Sequence, residues 1–539
     1  MEETQDLANS DAQTLEFVAL CAALGAASTG GGLSKAESKL LRDIEPSNVD
    51  PAGVRDQILA GADPLGDRII AMRSAIERRS IGQVFTPAPL VDEMVGWATR
   101  QSPSRVVDCG CGSGRFAIAA ARAMPDTPVV AVDMDPVASL ACRANASVLE
   151  LDTIVVRNDD FILMSLDSDP GRTAFIGNPP YVRHHQIPAS HKSWARERAQ
   201  ELGWVRWSGL AGLHALFFMA VVSKSNTGDV GCLLTSSEWL DVNYGRAMRD
   251  ALLNGAGGRS VHILRPQERA FEAAMTTASI LCFERGLHAK GIKLQVAAQP
   301  RELKNLDKRG RMIARTKLES ATTWSQLLAP TKSVPKGLVP LGSYVRVSRG
   351  AVTGANDFFL LTTDRAKELG LTRYCEPAIT RAREILSAEG EMDPANSERC
   401  LLVVDPAAAS SDKKLRAYLT SAKAKAACAG SVCKSRSDWF AVPQKRPPVV
   451  ATYMGRGLPA FALNPGGMPT VNVVHGLYPK VDLDDDQLRG LVNFLSTGVQ
   501  HGSSGRTYQG GLRKYEPSEM EQILVPTPDQ LRGWAASDS

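Results

Sequence analysis

The chain has 539 residues, of which 44% are hydrophobic and 22% are charged, and its formal net charge is +4. This composition is typical of a folded protein of roughly two to four domains, and it excludes a largely disordered chain. A net charge so close to zero does not by itself indicate a nucleic-acid binder, so the basic residues have to be considered locally.

The ten cysteines are scattered along the chain without paired spacing. Cys428 and Cys433 have no matching second pair, so the sequence favours neither a disulfide framework nor a zinc site. We therefore expect no bound metal and a reducing, cytoplasmic environment. No run approaches the roughly 18 apolar residues that a membrane span needs, and we expect no membrane association.

Residues 1–80 are patterned as a helical region. Leu15 to Ala27 is apolar, but the residues before it are acidic where a signal peptide needs positive charge, so this stretch predicts a helix of the N-terminal region. Glu37-Ser38-Lys39 matches the tail of a restriction-nuclease motif. Because no suitable aspartate on a strand precedes it, a chance match within a helix is the favoured interpretation.

Short β-branched runs alternate with helical stretches from Arg105 onward. Such alternation predicts an α/β domain with a seven-stranded, doubly wound, mostly parallel sheet. The seventh run follows the sixth too closely for a long crossover helix, so we expect it to be antiparallel. The runs are Val106-Val107, Val129 to Val132, Ile154 to Val156, Ala174 to Ile176, Gly231 to Leu234, Val261 to Leu264 and Ile280 to Phe283.

The ends of the first three predicted strands carry a cofactor signature. Asp108-Cys109-Gly110-Cys111-Gly112-Ser113-Gly114 follows the first strand and opens a helix. Asp133 ends the second strand, where an acid can accept hydrogen bonds from ribose hydroxyls. Asp160-Phe161 follows the third and offers an acid and a ring to an adenine. The spacing Asp-x-Gly-x-Gly-x-Gly favours S-adenosylmethionine over a nicotinamide dinucleotide; the alternative is that these acids only cap helices.

Asn178-Pro179-Pro180-Tyr181 follows the fourth predicted strand. Two consecutive prolines cannot continue a strand or a helix, so a rigid turn is expected. The turn presents an amide side chain, the Pro179 carbonyl and an aromatic face, which suit an exocyclic amino group on a planar ring. The sequence thus indicates adenine N6 as the substrate atom; the alternative is a strand-ending turn without chemistry.

In this order, the motifs between Ile81 and Gly286 resemble those of class I S-adenosylmethionine-dependent methyltransferases. The resemblance is to the γ-type N6-adenine DNA methyltransferases of the TaqI and Eco57I kind. Only 63 residues separate Gly114 from Asn178, which leaves no room for a recognition domain between cofactor and catalytic motifs. Gly82 to Pro87 resembles the leading cofactor motif of that family. There Thr86 is expected to cap a helix whose first residue is Pro87.

The resemblance implies a set of site residues. The Asn178 side-chain oxygen and the Pro179 carbonyl would accept the two amino hydrogens, while Tyr181 and Phe271 would sandwich a flipped base. S-adenosylmethionine would be the cofactor. Its binding residues would be Thr86, Pro87, Asp108, Gly110, Gly112, Gly114, Asp133, Asp160 and Phe161.

The C-terminal half is expected to form a separate α+β domain. Residues 291–333, which include seven Lys or Arg between Arg301 and Lys317, are predicted to be a basic linker. Gly350 to Phe359 and Gly510 to Pro517 resemble the opening and closing stretches of the family's target-recognition domain. The expected organisation is an N-terminal helical region (1–80), a catalytic domain (81–290), the linker (291–333), a target-recognition domain (334–528) and a tail (529–539).

The resemblance implies a site-specific methyltransferase that modifies N6 of a flipped adenine in double-stranded DNA. It would protect the host, in the bacterial cytoplasm and at the nucleoid, from a restriction endonuclease encoded separately, and act as a monomer or weak dimer. A palindrome with a TCGA core is the expected target. Two alternatives remain: a protein-glutamine or RNA methyltransferase that uses the same turn, and a catalytically inactive DNA-specificity subunit.

Overall fold

The computed structural model describes residues 2–44, 50–74, 77, 82, 86–204, 207–264, 278–321, 323–328, 335, 337–455, 458–497, 506–507 and 513–535. The chain separates into two compact units, residues 1–329 and residues 330–539.

The first unit is built on one nine-stranded sheet with the strand order β3-β2-β1-β4-β5-β7-β6-β8-β9. Strands β3, β2, β1, β4 and β5 are parallel neighbours, so their carboxyl ends lie along one edge of the sheet. The strands are β1 Arg105–Cys109, β2 Val129–Asp133, β3 Ile154–Asn158, β4 Thr173–Gly177, β5 Val230–Ser236, β6 Gly258–Leu264, β7 Ala278–Glu284, β8 Gly291–Ala297 and β9 Arg311–Ala314.

All seven predicted strands are present. The seventh, β7, is inserted between β5 and β6 and is antiparallel to both, which confirms the expected direction. The prediction of a basic linker is wrong for residues 291–314, because β8 and β9 extend the sheet to nine strands. Ile292, Leu294 and Ile313 are buried in the core, while most of the basic residues between Arg301 and Lys317 are exposed. The number of basic residues in the predicted linker made the alternation of apolar side chains in these strands difficult to recognise.

Helices cover both faces of the sheet, as a doubly wound fold requires. In the part of the chain that the structure describes, no helix combines the length and apolarity needed to cross a bilayer. One core contains residues of α5 Ala88–Thr99, α6 Arg115–Ala123 and α7 Pro136–Val148. The other contains residues of α8 Ala189–Glu201, α9 Leu213–Lys224, α10 Arg246–Leu253 and α11 Arg315–Ser320.

The N-terminal helices form an additional layer that packs on α7. Their apolar residues share one core with Val137, Leu140 and Val148 of that helix. A fully buried ion pair joins Glu37 to Arg143 at the same interface. Glu37 therefore has a structural role, in agreement with a chance match to the nuclease motif. The helices are α1 Glu2–Ala23, α2 Lys35–Arg42, α3 Pro51–Leu59 and α4 Pro64–Met72.

The second unit is a mixture of small antiparallel sheets and short helices. Its largest sheet has the order β11-β18-β15-β17, made of Val345–Arg349, His475–Pro479, Val449–Ala451 and Phe461–Leu463. A second has the order β12-β14-β13, made of Leu360–Thr362, Arg399–Leu402 and Cys375–Pro377. The smaller strands are β10 Leu338–Pro340 with β21 Leu524–Pro526, and β16 Met454–Gly455 with β20 Arg513–Lys514 and β19 Arg506–Thr507.

The helices of this second unit are short, apart from one of twelve residues that begins at Asp485 and is capped by Asp484. They are α12 Asn356–Phe359, α13 Thr363–Glu368, α14 Ala382–Leu386, α15 Pro406–Ser411, α16 Lys413–Leu419, α17 Ala422–Cys428, α18 Ser431–Lys434, α19 Asp485–Ser496, α20 Pro517–Met520 and α21 Pro528–Leu531.

Candidate active site

The glycine-rich loop leads from β1 into α6 at the carboxyl edge of the sheet. Gly110, Gly112 and Gly114 have φ angles of 91°, 56° and 97°, which are in the left-handed region that favours glycine. A Cβ at Gly114 would lie 2.7 Å from the Cys142 sulfur on α7, so the loop can pack only without a side chain there. These glycines therefore set a tight path for the backbone.

Asp108 lies beneath this loop. Its side chain is fully buried, and its Oδ2 accepts a hydrogen bond of 3.0 Å from the Ala117 backbone N–H at the start of α6. Its Oδ1 lies 3.1 Å from where a Cβ at Gly177 would be, so the carboxyl group also contacts the end of β4. Burial raises the pKa of Asp108 to about 8. The side chain thus connects the loop to the strand that carries Asn178.

Asp133 ends β2 with its carboxylate directed at the glycine loop. One oxygen accepts from the Gly112 N–H at 2.8 Å and the other from the Asp135 N–H at 3.0 Å. Burial, together with the charge of Asp135, raises the pKa of Asp133 to about 6. A carboxylate has about four acceptor positions, so two remain for other donors such as ribose hydroxyls.

Asp160 and Phe161 follow β3. Asp160 accepts from the Ile162 N–H at 3.0 Å, and its second oxygen is 2.6 Å from Nε2 of His191 on α8. The Phe161 ring is 3% exposed and stacks on Phe217, with ring centroids 5.8 Å apart. The sequence did not indicate that His191 is a partner of Asp160, because the two residues are 31 positions apart and His191 belongs to no motif.

The Asn178-Pro179-Pro180-Tyr181 turn begins at the carboxyl end of β4, next to β1. Asn178 Nδ2 donates a hydrogen bond of 3.1 Å to Thr86 Oγ1, and the Tyr181 N–H donates to the Gly82 carbonyl at 3.2 Å. A Cβ at Gly110 would lie 3.8 Å from Pro180 Cδ. The fold therefore brings the glycine loop and the proline turn into close proximity.

Thr86 and Pro87 are placed one position away from the expected helix cap. Helix α5 starts at Ala88, with Pro87 as the N-cap residue, and Thr86 makes no cap hydrogen bond. The prediction that Thr86 caps the helix and Pro87 is its first residue is therefore wrong. The physical reason is that the Thr86 hydroxyl, which a cap would use, is instead bonded to the Asn178 amide.

Aromatic side chains surround the Tyr181 end of the turn. The Tyr181 ring meets the His214 ring edge-on at 6.4 Å, and His214 in turn is 6.3 Å from the Tyr244 ring. The Tyr181 hydroxyl is buried with no hydrogen-bond partner among the described residues. Burial lowers the pKa of His214 to about 4, so this histidine is neutral at physiological pH. Phe271 lies outside the described residues.

Two residues at this site had no sequence signal beyond helix capping. Asp63 precedes α4, and Arg115 is the first residue of α6. Arg115 Nε donates to Asp63 Oδ2 at 2.6 Å, and Ser113 Oγ donates to the same oxygen at 2.6 Å. The N-terminal layer therefore makes direct contact with the glycine-rich loop. An Asp-Pro pair indicates an N-cap but does not identify such a distant partner.

The carboxyl edge of the sheet fits S-adenosylmethionine. The side-chain-free position at Gly110 leaves room between the loop and Pro180 that any larger residue would fill. Asp133 accepts a hydrogen bond from the glycine-rich loop and can accept further hydrogen bonds from a ligand. The buried pair Glu37 and Arg143 and the fully buried Asp108 are used within the fold and are not needed for a ligand.

The second unit contains a basic cavity of about 270 Å³, lined by Arg346, Ser348, Gln444, Lys445, Arg446 and Tyr478. Arg346 lies over the Tyr478 ring, 5.2 Å from its centroid. Lys445 Nζ donates to Ser348 Oγ at 3.2 Å, and burial, aided by the charge of Arg346, lowers the pKa of Lys445. No carboxylate lines this cavity among the described residues. Arg346, Lys445 and Arg446 bring three positive charges to this cavity, and Arg446 is paired with Glu376.

Family models match along the chain in the same order as these sites. The methyltransferase small domain matches residues 94–197, and the Eco57I restriction-modification methylase matches residues 156–271. The C-terminal domain of the type II methyltransferase M.Eco57I matches residues 325–537.

Two similar proteins match most of this chain. The type II methyltransferase M.AccI of Acinetobacter calcoaceticus is 21% identical, over 83% of this chain and 86% of its own length. The structure of the type IIL restriction-modification enzyme MmeI in complex with DNA shares the fold, with a TM-score of 0.54 and 12% identity, over 92% of this chain and 76% of that one.

The type II methyltransferase M.XamI of Xanthomonas campestris pv. amaranthicola is 38% identical over 534 residues, which are 96% of this chain and 98% of the relative. The methyl donor of such enzymes is S-adenosylmethionine, in agreement with the carboxyl edge of the sheet. The fold is that of a class I methyltransferase with an added C-terminal domain. The chain belongs to the Eco57I-type family of type II restriction-modification DNA methyltransferases.

Proposed function

We propose that this enzyme methylates N6 of adenine in double-stranded DNA. The observation that carries the proposal is the position of Asn178. Its amide stands at the carboxyl end of β4, where Pro180 lies 3.8 Å from the Cβ position of Gly110 in the glycine loop. An amide and a proline carbonyl at this position suit an exocyclic amino group better than a hydroxyl or thiol, because they offer two acceptors for two N–H groups.

The adenine amino group is a weak nucleophile, because its lone pair is delocalised into the ring. The Asn178 side-chain oxygen and the Pro179 carbonyl would accept its two hydrogens, which favours pyramidal nitrogen and stabilises the positive charge that develops there. S-adenosylmethionine, when bound, supplies an electrophilic methyl group. The proton becomes acidic only after transfer, so the chain needs no general base before that step.

Asp133 would hold the ribose hydroxyls of the cofactor, and Gly110, Gly112 and Gly114 would let the backbone approach its amino-acid part. Asp160 would accept a hydrogen bond from the adenine amino group of the cofactor, and His191 would orient the Asp160 carboxylate. Phe161 would form one wall of the adenine site. Asp108 would act beneath the loop through Ala117 and Gly177. Thr86 and Pro87 would border the methionine end.

The target nitrogen is inside the duplex, so the base has to leave the stack, at a cost of a few kcal/mol. Tyr181 would stack on the flipped base; the same role for Phe271 stays a prediction. The edge-on His214 ring and the buried Tyr181 hydroxyl support a fixed orientation of the Tyr181 ring. Neutral His214 adds no charge beside a base.

Residues 334–528 would form the target-recognition domain, with the basic cavity contacting DNA phosphates. The enzyme would then protect cytoplasmic, nucleoid-associated DNA from a separately encoded restriction endonuclease, as a monomer or weak dimer. The target remains a prediction, a palindrome with a TCGA core.

The deciding experiment is labelled methyl transfer from S-adenosylmethionine to duplex DNA, followed by nucleoside mass spectrometry. We expect N6-methyladenine. Exclusive N4-methylcytosine would overturn the adenine assignment, and label in RNA or protein alone would favour the alternative substrates. Absence of S-adenosylmethionine binding would indicate an inactive specificity subunit. Sequencing of DNA from a methylation-deficient host that expresses the chain would identify the site.

A further inference from the structure

The N-terminal helical layer is connected to the catalytic turn by a continuous series of hydrogen bonds that starts at Asp63. The Asp63 side chain is 16% exposed and binds four donors. Its Oδ1 accepts from the Gly66 N–H at 2.9 Å and from Asn145 Nδ2 at 3.3 Å, and its Oδ2 accepts from Ser113 Oγ and from Arg115 Nε, both at 2.6 Å. One carboxylate therefore joins α4, α7 and the glycine loop.

Arg115 continues the series toward the turn. Its guanidinium donates from Nε to Asp63 and from Nη1 to the Thr86 carbonyl at 3.1 Å, and its Nη2 is 3.3 Å from Asp67. The planar guanidinium holds these three partners in one fixed geometry, which the single ammonium of a lysine cannot reproduce. The position of the Thr86 backbone is therefore set by Asp63 through Arg115.

Thr86 completes the series, because its hydroxyl accepts from Asn178 Nδ2 at 3.1 Å. Thr86 is 3% exposed, so water does not compete for this bond. With Nδ2 directed at Thr86, the amide has the orientation in which Oδ1 can act as the acceptor proposed for a substrate N–H. If the Asn178 amide were rotated by 180°, Nδ2 would face the substrate N–H. Both groups are donors, so no hydrogen bond could form between them.

We propose that Asp63, Arg115 and Thr86 are positioning residues that set the orientation of the Asn178 amide, and that the N-terminal layer thereby takes part in catalysis. This inference rests on the proposed function of Asn178. It gives the N-terminal helical layer a role beyond covering α7. Because Ser113 in the glycine loop binds the same Asp63 oxygen, one carboxylate sets the geometry of both the cofactor loop and the catalytic amide.

The first test compares Thr86→Val with Thr86→Ser. Valine keeps the shape of the side chain and removes the hydroxyl, whereas serine keeps the hydroxyl. The readouts are the single-turnover methyl-transfer rate at saturating cofactor and DNA, the Kd for S-adenosylmethionine and the thermal midpoint. We expect Thr86→Val to slow transfer about tenfold with an unchanged Kd, and Thr86→Ser to remain near the wild-type rate.

Three results would overturn the inference. One is a wild-type transfer rate in Thr86→Val. Another is a raised Kd for S-adenosylmethionine in Thr86→Val with an unchanged single-turnover rate, which would make Thr86 a cofactor ligand only. A merely structural role would lower the thermal midpoint in proportion to the rate, and that result too would contradict positioning.

The second test is a double-mutant cycle between Asp63→Asn and Thr86→Val. Asparagine keeps an oxygen for the Gly66 cap but removes the charge that holds Arg115. If both residues act through Asn178, their effects on the transfer rate will be less than additive; additive effects would contradict the series. Arg115→Lys should also slow transfer, whereas Arg122→Lys, an exposed residue on the same helix, should not.

These outcomes are separable from failure of the proposed function. All rates are relative to the wild-type enzyme, whichever amino group it methylates. If the wild-type product is N4-methylcytosine, the adenine assignment fails but the comparison of Thr86→Val with Thr86→Ser still tests the positioning of Asn178.

Discussion

Arg143 and Glu37 form an ion pair whose side chains are both fully buried, with 2.7 Å between Nε and Oε1. Arg143 also donates to the carbonyls of Thr29, Gly31, Gly32 and Val156, so its donors are directed to fixed partners. These contacts therefore tie α2 and the segment that precedes it to α7 and β3.

Removing one partner of this pair should destabilise the protein. Glu37→Gln leaves the Arg143 charge buried without its counter-ion, so we expect the free energy of unfolding to fall by about 3 kcal/mol. Urea unfolding followed by circular dichroism measures it. Glu16→Gln, at an exposed position on α1, is the matched control and should change stability little. An equal effect of both variants would mean that the pair contributes nothing specific.

Asn178→Ala should abolish methyl transfer without loss of cofactor binding. It would remove the proposed acceptor, which acts mainly in the transition state, so we expect a decrease in rate on the order of 10²-fold or more. Single-turnover methylation and calorimetric titration with S-adenosylmethionine measure the two properties. Near-normal turnover in this variant would exclude Asn178 as the catalytic amide.

Gly177→Ala should destabilise the junction of β4 with the proline turn. Gly177 has a φ of 143°, and a Cβ there would lie 3.1 Å from both Asp108 Oδ1 and the Cys109 carbonyl. We expect a loss of about 1–3 kcal/mol, measured by thermal unfolding, with reduced methylation of the folded fraction. Gly209→Ala is the control, because a Cβ there meets nothing within 4 Å. Equal stability of Gly177→Ala and Gly209→Ala would contradict the expected strain at Gly177.

Cofactor affinity should depend on the ionisation of Asp133, whose pKa is raised to about 6 by burial. Ribose hydroxyls bound to Asp133, as proposed, would stabilise the charged carboxylate, so the bound form would have the lower pKa. Binding is then strongest above the pKa of the free enzyme and weakens as the pH falls through it. Asp135→Asn, which removes a neighbouring charge, should shift the midpoint to lower pH. Titrations of S-adenosylmethionine at several pH values test this, and a flat profile would contradict it.

Substitutions in the basic cavity should weaken DNA binding in a salt-dependent way. Arg346→Ala and Lys445→Ala would each remove one of the proposed phosphate contacts, so we expect the slope of log K against log salt to decrease by about one per residue. Fluorescence anisotropy with a labelled duplex at several salt concentrations measures the slope. Arg365→Ala, an exposed residue on α13 whose guanidinium pairs with Glu368, is the control. An unchanged slope for both cavity variants would exclude the cavity from the interface.

Much of the fold was predictable, because local periodicity and turn chemistry act over a few residues. The seven strands and the direction of β7 followed from β-branched runs and from the spacing between them. The burial of Val91, Met94, Val95 and Ala98 on one face of α5 agrees with their helical spacing. The order of the motifs in parallel strands was sufficient to expect Asp133 and Asn178 at one edge of the sheet.

The errors occurred where charge or capping residues had partners far along the chain. The basic character of residues 301–317 concealed β9, because only alternate side chains of a strand need to be apolar. Thr86 was expected to cap a helix, although its hydroxyl binds Asn178, 92 residues away. Short-range rules cannot identify a partner at that separation.

The sequence by itself determined the class of the protein and predicted a chemistry for the Asn178-Pro179-Pro180-Tyr181 turn, since both depend on residue types at close spacing. Only the tertiary structure decided that Asp63 in the N-terminal layer reaches Asn178 through Arg115 and Thr86. The reason is that each of these hydrogen bonds joins residues on different elements, and their distances are set by the packing of the elements and not by the order of the residues.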